Sequence, residues 1–251
     1  VNDDLGRPVD ATRPVRRIVS LVPSLTEAIA ATRPGALVGA TDWCTHPADL
    51  DVTRVRGTKN PDRKAIAALR PDLVIANQEE NRELDIRRLR ESGINVWVTV
   101  IETVDQAFAS MTRLFTEALD WDVPQWLTDA EQVWAEPAPP SGRRIAIPIW
   151  RDPWMVVGSR TFTGDLLGRL GVVNAFGQSA DRYPHVDLHE IDSNGVDLVL
   201  LPDEPYVFTA TDGPEAFSQT PSTLVSGRSL TWYGPSMLAA RADLEAALRR
   251  C

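Results

Sequence analysis

The sequence predicts an α/β protein of two Rossmann-like lobes, each a mostly parallel sheet, bridged by a helical backbone. Three observations predict it. On both flanks of the chain, short apolar β-rich runs alternate with helix-like runs, which is the signature of β-α units on a parallel sheet. The middle of the chain is instead acidic and helical in period: residues 103–141 carry seven acidic side chains against one basic, out of 35 Asp+Glu and 26 Lys+Arg in the 251-residue chain. Finally, Arg70-Pro71-Asp72-Leu73-Val74-Ile75-Ala76 and Gly195-Val196-Asp197-Leu198-Val199-Leu200-Leu201 repeat one plan, a helix end, an Asp and a buried strand.

Taken in order, the first lobe (1–102) is expected to hold strands at 17–22, 36–40, 73–76 and 96–100, with helices at 24–33, 62–70 and 79–92. In the bridge and linker (103–141), Val104, Phe108, Met111, Leu114, Phe115, Ala118 and Leu119 form an i, i+3, i+4, i+7 stripe, an amphipathic helix. Trp121-Asp122-Val123 breaks it, Pro124 suits a first helical position, and Trp126, Leu127, Ala130, Val133 and Trp134 carry a second helix. Pro137-Ala138-Pro139-Pro140-Ser141-Gly142 reads as the linker. The second lobe (142–251) is expected to hold strands at 144–149, 198–201 and about 229–232, and helices near 162–170, 187–194 and 235–249.

A net charge of −9 argues against nucleic acid as a partner. No apolar run approaches the ~18 residues of a membrane helix. The start, Val1 to Pro8, lacks the apolar region of a signal peptide, so compartment is open: either an export segment was removed or the protein is cytoplasmic. Cys44 and Cys251 do not settle the question, because a disulfide to the last residue would order little. Glycine-rich phosphate loops, nucleophile elbows and paired Cys-x-x-Cys are absent from the sequence, so nothing argues for catalysis and no catalytic residue is assigned.

Ligands of open α/β sheets sit beyond the carboxyl ends of strands, so polar and aromatic residues there are the candidates. Ser24-Leu25-Thr26-Glu27 after the first strand is a capping box whose helix N-terminus could also face an anionic group. Trp43, Cys44 and His46 share the loop after the second strand. Cys44 and His46 could take a soft metal, although two residues do not complete a tetrahedral site. Thr58 and Lys59 lie in the Gly57–Asp62 turn, and Lys59 is one of two lysines. Asn77 and Glu79 follow a buried strand. In the second lobe Trp150, Arg151 and Trp154 end one strand, Trp232 and Tyr233 another, and Tyr183 lies in a comparable loop. Flat apolar surface in such loops suits a bulky ring system or macrocycle.

Arg17 through Glu27, Gly57 through Asp62, Leu69 through Asn77 and Val196 through Leu201 together resemble the class III periplasmic binding proteins, the helical-backbone group. Within it, the cobalamin-binding and iron-siderophore-binding receptors are the nearest kin. The resemblance implies two lobes with the ligand held in a cleft between them, no enzymatic activity, and delivery of the ligand to an ABC transporter permease by an extracytoplasmic, monomeric receptor. It implies a corrinoid or another metal chelate as ligand, and docking on the permease through Glu83 and, in the second lobe, Glu204, with Glu215 an alternative. A ferric-siderophore, heme or free metal-ion receptor, or an intracellular module without a transporter, are the competing expectations. One departure from the family is the bridge, which from Pro124 to Glu136 spans roughly 20 Å at ~1.5 Å per residue, shorter than the usual backbone helix.

Overall fold

A computed structural model describes residues 1–10 and 14–249, so Cys251 lies outside the described residues. The described residues fall into two compact units, one drawn from 1–10, 14–101, 105–128 and 233–235, the other from 102–104, 129–232 and 236–249.

The first unit opens with β1 (Ile18–Ser20), α1 (Pro23–Thr32), β2 (Leu37–Ala40) and β3 (Thr53–Arg54), followed by a two-stranded hairpin of β4 (Arg56–Gly57) and β5 (Asn60–Pro61). It continues through α2 (Arg63–Ala68), β6 (Leu73–Asn77), α3 (Glu83–Glu91) and β7 (Val96–Thr99). Five strands make one parallel sheet in the order β3-β2-β1-β6-β7. β6 and β7 are buried residue for residue, as strands covered on both faces must be. Val19, Val74, Ala76, Val96 and Val98 from the sheet, with Leu21 just past β1, pack with Ile66, Ile86 and Leu89 from α2 and α3.

The bridge is α4 (Val104–Arg113), a wider π turn at Leu114–Ala118, and α5 (Gln125–Trp134). The amphipathic stripe is buried as its period predicts, and Pro124 falls just before α5, where a missing N–H costs nothing. α5 begins in one unit and ends in the other. Its aromatics are anchors: Trp126 meets Phe115 edge-on at 5.9 Å, and Trp134 donates its indole N–H to the Met237 carbonyl at 2.9 Å.

In the second unit come β8 (Arg144–Ala146), the hairpin of β9 (Pro148–Trp150) and β10 (Met155–Val156), α6 (Phe162–Arg169), β11 (Val173–Asn174) and α7 (Leu188–Ile191). β12 (Leu198–Pro202), β13 (Ser222–Val225), α8 (Gly227–Thr231) and α9 (Met237–Arg249) complete it. Its parallel sheet runs β11-β8-β12-β13, which repeats the β2-β1-β6-β7 order of the first unit. Ala146, Val156, Val199 and Leu201 pack with Trp154, Ile191 and Phe208 in its core.

The shared plan extends to one clamp at the amino ends of the strands. In the first unit Asp72 accepts from the Arg16 and Arg17 amides at 2.9 Å, its own amide donates to the Arg17 carbonyl, and Arg17 Nη2 donates to the Leu69 carbonyl at 2.7 Å. In the second, Asp197 accepts from the Arg144 amide at 2.6 Å, its amide donates to the Arg144 carbonyl, and Arg144 Nε donates to the Gly195 carbonyl at 2.7 Å.

Three expectations need correction. The last strand lies at Ser222–Val225, and 229–232 falls on α8 and its C-cap Trp232; the polar Ser222-Thr223 start hid an edge strand from the apolar pattern. The strand expected at 144–149 is two, because the chain leaves the sheet after Ala146 and turns into a hairpin. Finally, no capping box forms at Ser24. Pro23 opens α1, Val22 is its N-cap without a side-chain cap, and Thr26 Oγ1 donates back to the Val22 carbonyl at 2.9 Å.

Candidate functional site

Both sheets have a switch point where the connections from neighbouring strands part, between β1 and β6 and between β8 and β12. Ser24 follows β1, Asn77 ends β6 with Glu79 just after it, and Trp150, Arg151 and Trp154 lie in the β9–β10 hairpin that follows β8; the other candidates sit on other loops.

In the first unit the loop ends are tied by asparagines. Asn81 donates to the Leu21 carbonyl at 3.2 Å and to the Thr58 carbonyl at 2.9 Å, joining the end of β1 to the hairpin turn. Its oxygen accepts from the Asn77 amide. Asn77 is saturated, with its oxygen taking the Glu79 and Glu80 amides and its nitrogen donating to Thr99. It is 3% exposed, so it shapes the loop and has no group left for a ligand. Asn81, equally fixed, was not singled out from the sequence; the Asn-x-x-x-Asn spacing after a buried strand was the available signal.

The loop after β2 separates anchor from display. Cys44 is fully buried; its Sγ lies 3.0 Å from Thr26 Oγ1 and 3.1 Å from Thr41 Oγ1. Burial pushes its thiol up, against the pull of those two hydroxyls, so it rests as a protonated anchor. Arg54 Nη1 donates to the Thr41 and Cys44 carbonyls, which fixes the backbone on either side of Trp43. Trp43, one residue before the anchor, therefore points outward and is 65% exposed. Its indole nitrogen lies over Gly57, where a Cβ would sit 3.3 Å away. His46 is half-buried, with Nδ1 3.1 Å from Thr45 Oγ1. Among the described residues no three or more His, Cys, Asp or Glu gather to hold a metal ion. Lys59 is exposed and donates to the Glu79 carbonyl, which closes the hairpin turn over the loop after β6; Thr58 and Glu79 are half-buried beside it. Ser24 is 2% exposed; a Cβ on Gly234 would come within 3.2 Å of its carbonyl oxygen.

The second unit answers with aromatics. Trp150, at the end of β9, is 47% exposed and packs edge-on against Tyr206 at 5.6 Å. Behind it Tyr206 meets Phe208 at 4.7 Å, Phe208 stacks on Trp154 at 6.0 Å and Phe217 abuts Trp154 at 5.5 Å. Trp154 is 8% exposed and belongs to this core, so of the pair flanking Arg151 only Trp150 reaches the surface. Tyr183 is half-buried, and the chain after it adds to β10 through the Val156-to-Pro184 and Val186-to-Trp154 bonds. Trp232 and Tyr233 are each 5% exposed; Trp232 bonds Glu204 and carries the Arg228 guanidinium 5.8 Å from its ring centroid.

Arg151, half-buried, is engaged by Asp212 and Glu215 through Nη1, and Tyr206 donates its hydroxyl to Asp212 at 2.7 Å. The ion pair with Glu215, then Asp212, holds the guanidinium pKa above its usual value, and the same bond draws Glu215 below the carboxylate range. Glu83 is exposed at the first residue of α3. Glu204 is half-buried, and burial pushes its carboxyl up, with Asp203 adding to it against the pull of Trp232 and Arg228. No helix among the described residues is long and apolar enough to cross a membrane.

No family model matches the chain. The vitamin B12-binding protein of Vibrio cholerae is 25% identical over 188 residues, 71% of this chain and 67% of that protein. Its counterpart in Pectobacterium atrosepticum is 25% identical over 191 residues, 70% and 67% of the two chains. Among solved structures, the periplasmic vitamin B12 binding protein BtuF of Vibrio cholerae superposes with a TM-score of 0.72 at 20% identity, covering 94% of this chain and 97% of that one. The periplasmic heme-binding protein RhuT from Roseiflexus gives 0.76 at 20% identity, covering 93% and 97%. The chain has the fold of these periplasmic vitamin B12- and heme-binding proteins, in keeping with the resemblance its motifs carry.

Proposed function

We propose that this protein is a non-enzymatic, extracytoplasmic receptor for a cobalamin-like corrinoid, which it delivers to an ABC importer. The observation that carries the reading is the exposure of two indoles, Trp43 at 65% and Trp150 at 47%, each at a strand-end loop and each on a rigid mount. A flat indole held out from a buried anchor at a strand-end loop offers surface to stack against or cover a large ring. The similarity to vitamin B12-binding proteins in sequence and structure supports the corrinoid over other rings. Heme is the second reading, favoured by the equal structural likeness to heme-binding proteins.

In this reading Trp43 is the ring contact of the first unit, with Thr58, Lys59, Glu79 and His46 as its polar surround, and Trp150 is the ring contact of the second, with Tyr183 on the segment that adds to β10. Cys44 anchors the loop of Trp43 and Trp154 belongs to the aromatic core behind Trp150, while Asn77, Ser24, Trp232 and Tyr233 are buried and shape their own loops. Docking on the permease falls to Glu83 on the first unit and Glu204 on the second.

Titration of tryptophan fluorescence and calorimetry with cyanocobalamin, hemin and a ferric hydroxamate siderophore test the ligand. Cyanocobalamin is expected to bind at micromolar concentration or tighter. Trp43→Ala and Trp150→Ala are each expected to weaken it at least tenfold, about 1.4 kcal/mol or more, with the melting temperature within a few degrees of the parent. Unchanged affinity in both variants refutes the assignment, and tighter hemin binding moves the reading to heme.

A further inference from the structure

We infer that the second unit selects a ring bearing uncharged amides over one bearing carboxylates, because Arg151 is withheld from the ligand by its own carboxylate partners. The inference rests on the corrinoid reading above.

Arg151 directly follows the exposed Trp150, the position from which a guanidinium would meet acidic ring substituents. One arm of its fork is occupied instead, with a carboxylate near Nε. Nη1 donates to Asp212 and Glu215, Nε lies 3.7 Å from Asp152, and the guanidinium carbon sits 5.5 Å from the centroid of the buried Trp154 ring. The carboxylates are themselves held: Asp212 by the Tyr206 hydroxyl at 2.7 Å, Glu215 by the Gly213 amide at 2.6 Å. Tyr206 in turn is the ring against which Trp150 packs. The exposed indole, the phenol, the acids and the arginine are thus one linked assembly with three carboxylates around a single cation.

A ligand carrying carboxylates, as heme carries propionates, gains from an open guanidinium and loses beside unmatched acids. Here it would have to displace Asp212 or Glu215 from Arg151 and then lie among the displaced charges. Carboxamides face no such penalty, since their N–H groups donate to carboxylates.

Two corrinoids of the same ring separate the idea from its parent reading: dicyanocobinamide, whose side chains end in amides, and dicyanocobyrinic acid, whose side chains end in carboxylates. Calorimetry at neutral pH is expected to show the unaltered protein binding the amide form at least tenfold tighter. In the double variant Asp212→Asn, Glu215→Gln the preference is expected to narrow at least fivefold, chiefly through a gain for the acid form. Arg151→Gln, which leaves the acids in place, is expected to hold cobinamide affinity within about twofold. Equal affinities in the unaltered protein, or a tenfold loss of cobinamide in Arg151→Gln with the melting curve preserved, overturn the inference and leave the corrinoid reading intact. An unchanged preference in a folded double variant does the same. Binding of neither corrinoid overturns both.

Discussion

The two units are alike at the amino ends of their sheets and unlike at the carboxyl ends. Both use the β2-β1-β6-β7 strand plan, and both lock the two central strands, β1 to β6 and β8 to β12, with an aspartate that reads the backbone, Asp72 on Arg16 and Arg17, Asp197 on Arg144. At the other end the first unit fixes its loops with Asn77 and Asn81, while the second builds a chain of aromatic contacts from Trp150 through Tyr206 and Phe208 to Trp154. The amino ends carry the work of holding the sheet, which has few solutions. The carboxyl ends carry the work of presenting a surface, which has many, and each unit presents one exposed indole by its own means. In open α/β sheets ligands sit beyond the carboxyl ends of the strands, and that is the end at which these two units part company.

The largest expected effect breaks the likeness at the amino ends. The second unit has an additional acid there, Asp192, which accepts from the Ser218, Gln219 and Thr220 amides and the Ser218 hydroxyl, holding the loop that leads into β13. Burial pushes its carboxyl up, but those hydrogen bonds outweigh it and bring the pKa from 3.8 down to about 2. A depressed folded-state pKa gives stabilisation that is complete above about pH 4 and lost as pH falls through about 2, worth about 2 kcal/mol for this shift. Asp192→Ala is expected to cost about 3 kcal/mol, because it also strands the amides it had paired. Urea melts at pH 7 and pH 3, followed by hydrogen exchange, should show β13 and its neighbours opening first in the variant, and the difference between variant and parent shrinking in acid. A loss spread evenly over both units would mean that they do not unfold separately.

Next in size is the matched pair. Asp72→Ala and Asp197→Ala are each expected to cost about 1–2 kcal/mol, with Asp72 the larger because it pairs two amides and Asp197 one. Denaturant midpoints of the two single variants and the double variant check it. Additive losses are expected of sites in separate units. A negligible cost at either site would show the repeated clamp to be an accident of strand geometry.

The sequence made the repeat legible, since Arg70-Pro71-Asp72 and Gly195-Val196-Asp197 stand before matching apolar runs, and strands buried on both faces announce themselves by composition. The amphipathic bridge was legible for the same reason. What was not legible was orientation within loops. Trp150 and Trp154 look equivalent in sequence, yet the β9–β10 turn leaves one 47% exposed and the other 8%, because Phe208 and Phe217 arrive from distant segments to cover the second. Cys44 and Trp43 invert expectation similarly: the residue with metal chemistry is the buried anchor, a role fixed by Thr26 and Thr41. Nor does the sequence around Arg151 announce its partners, because Asp212 and Glu215 come from some sixty residues on. Local patterns report periodicity, whereas these outcomes depend on side chains brought together by topology.

The smallest expected effect tests whether the mounting of Trp43 matters apart from its presence. Gly57, in β4, has no left-handed backbone requirement, so alanine fits its conformation and the hairpin should form as before. The added Cβ would lie 2.5 Å from Asn60 Oδ1 and 3.3 Å from Trp43 Nε1. Asn60 is exposed and its amide can rotate away. Trp43 then has to give by a few tenths of an ångström, tilting an indole that otherwise rests on the hairpin. Gly57→Ala is therefore expected to leave the melting temperature within about two degrees, since an exposed contact of this kind is worth only a few tenths of a kcal/mol. Cyanocobalamin affinity is expected to fall two- to fivefold, and the effect should vanish in a Trp43→Ala background, because there is then no indole to displace. If the fall persists without Trp43, the hairpin itself meets the ligand, and the first unit presents a backbone turn where the second presents an aromatic ring.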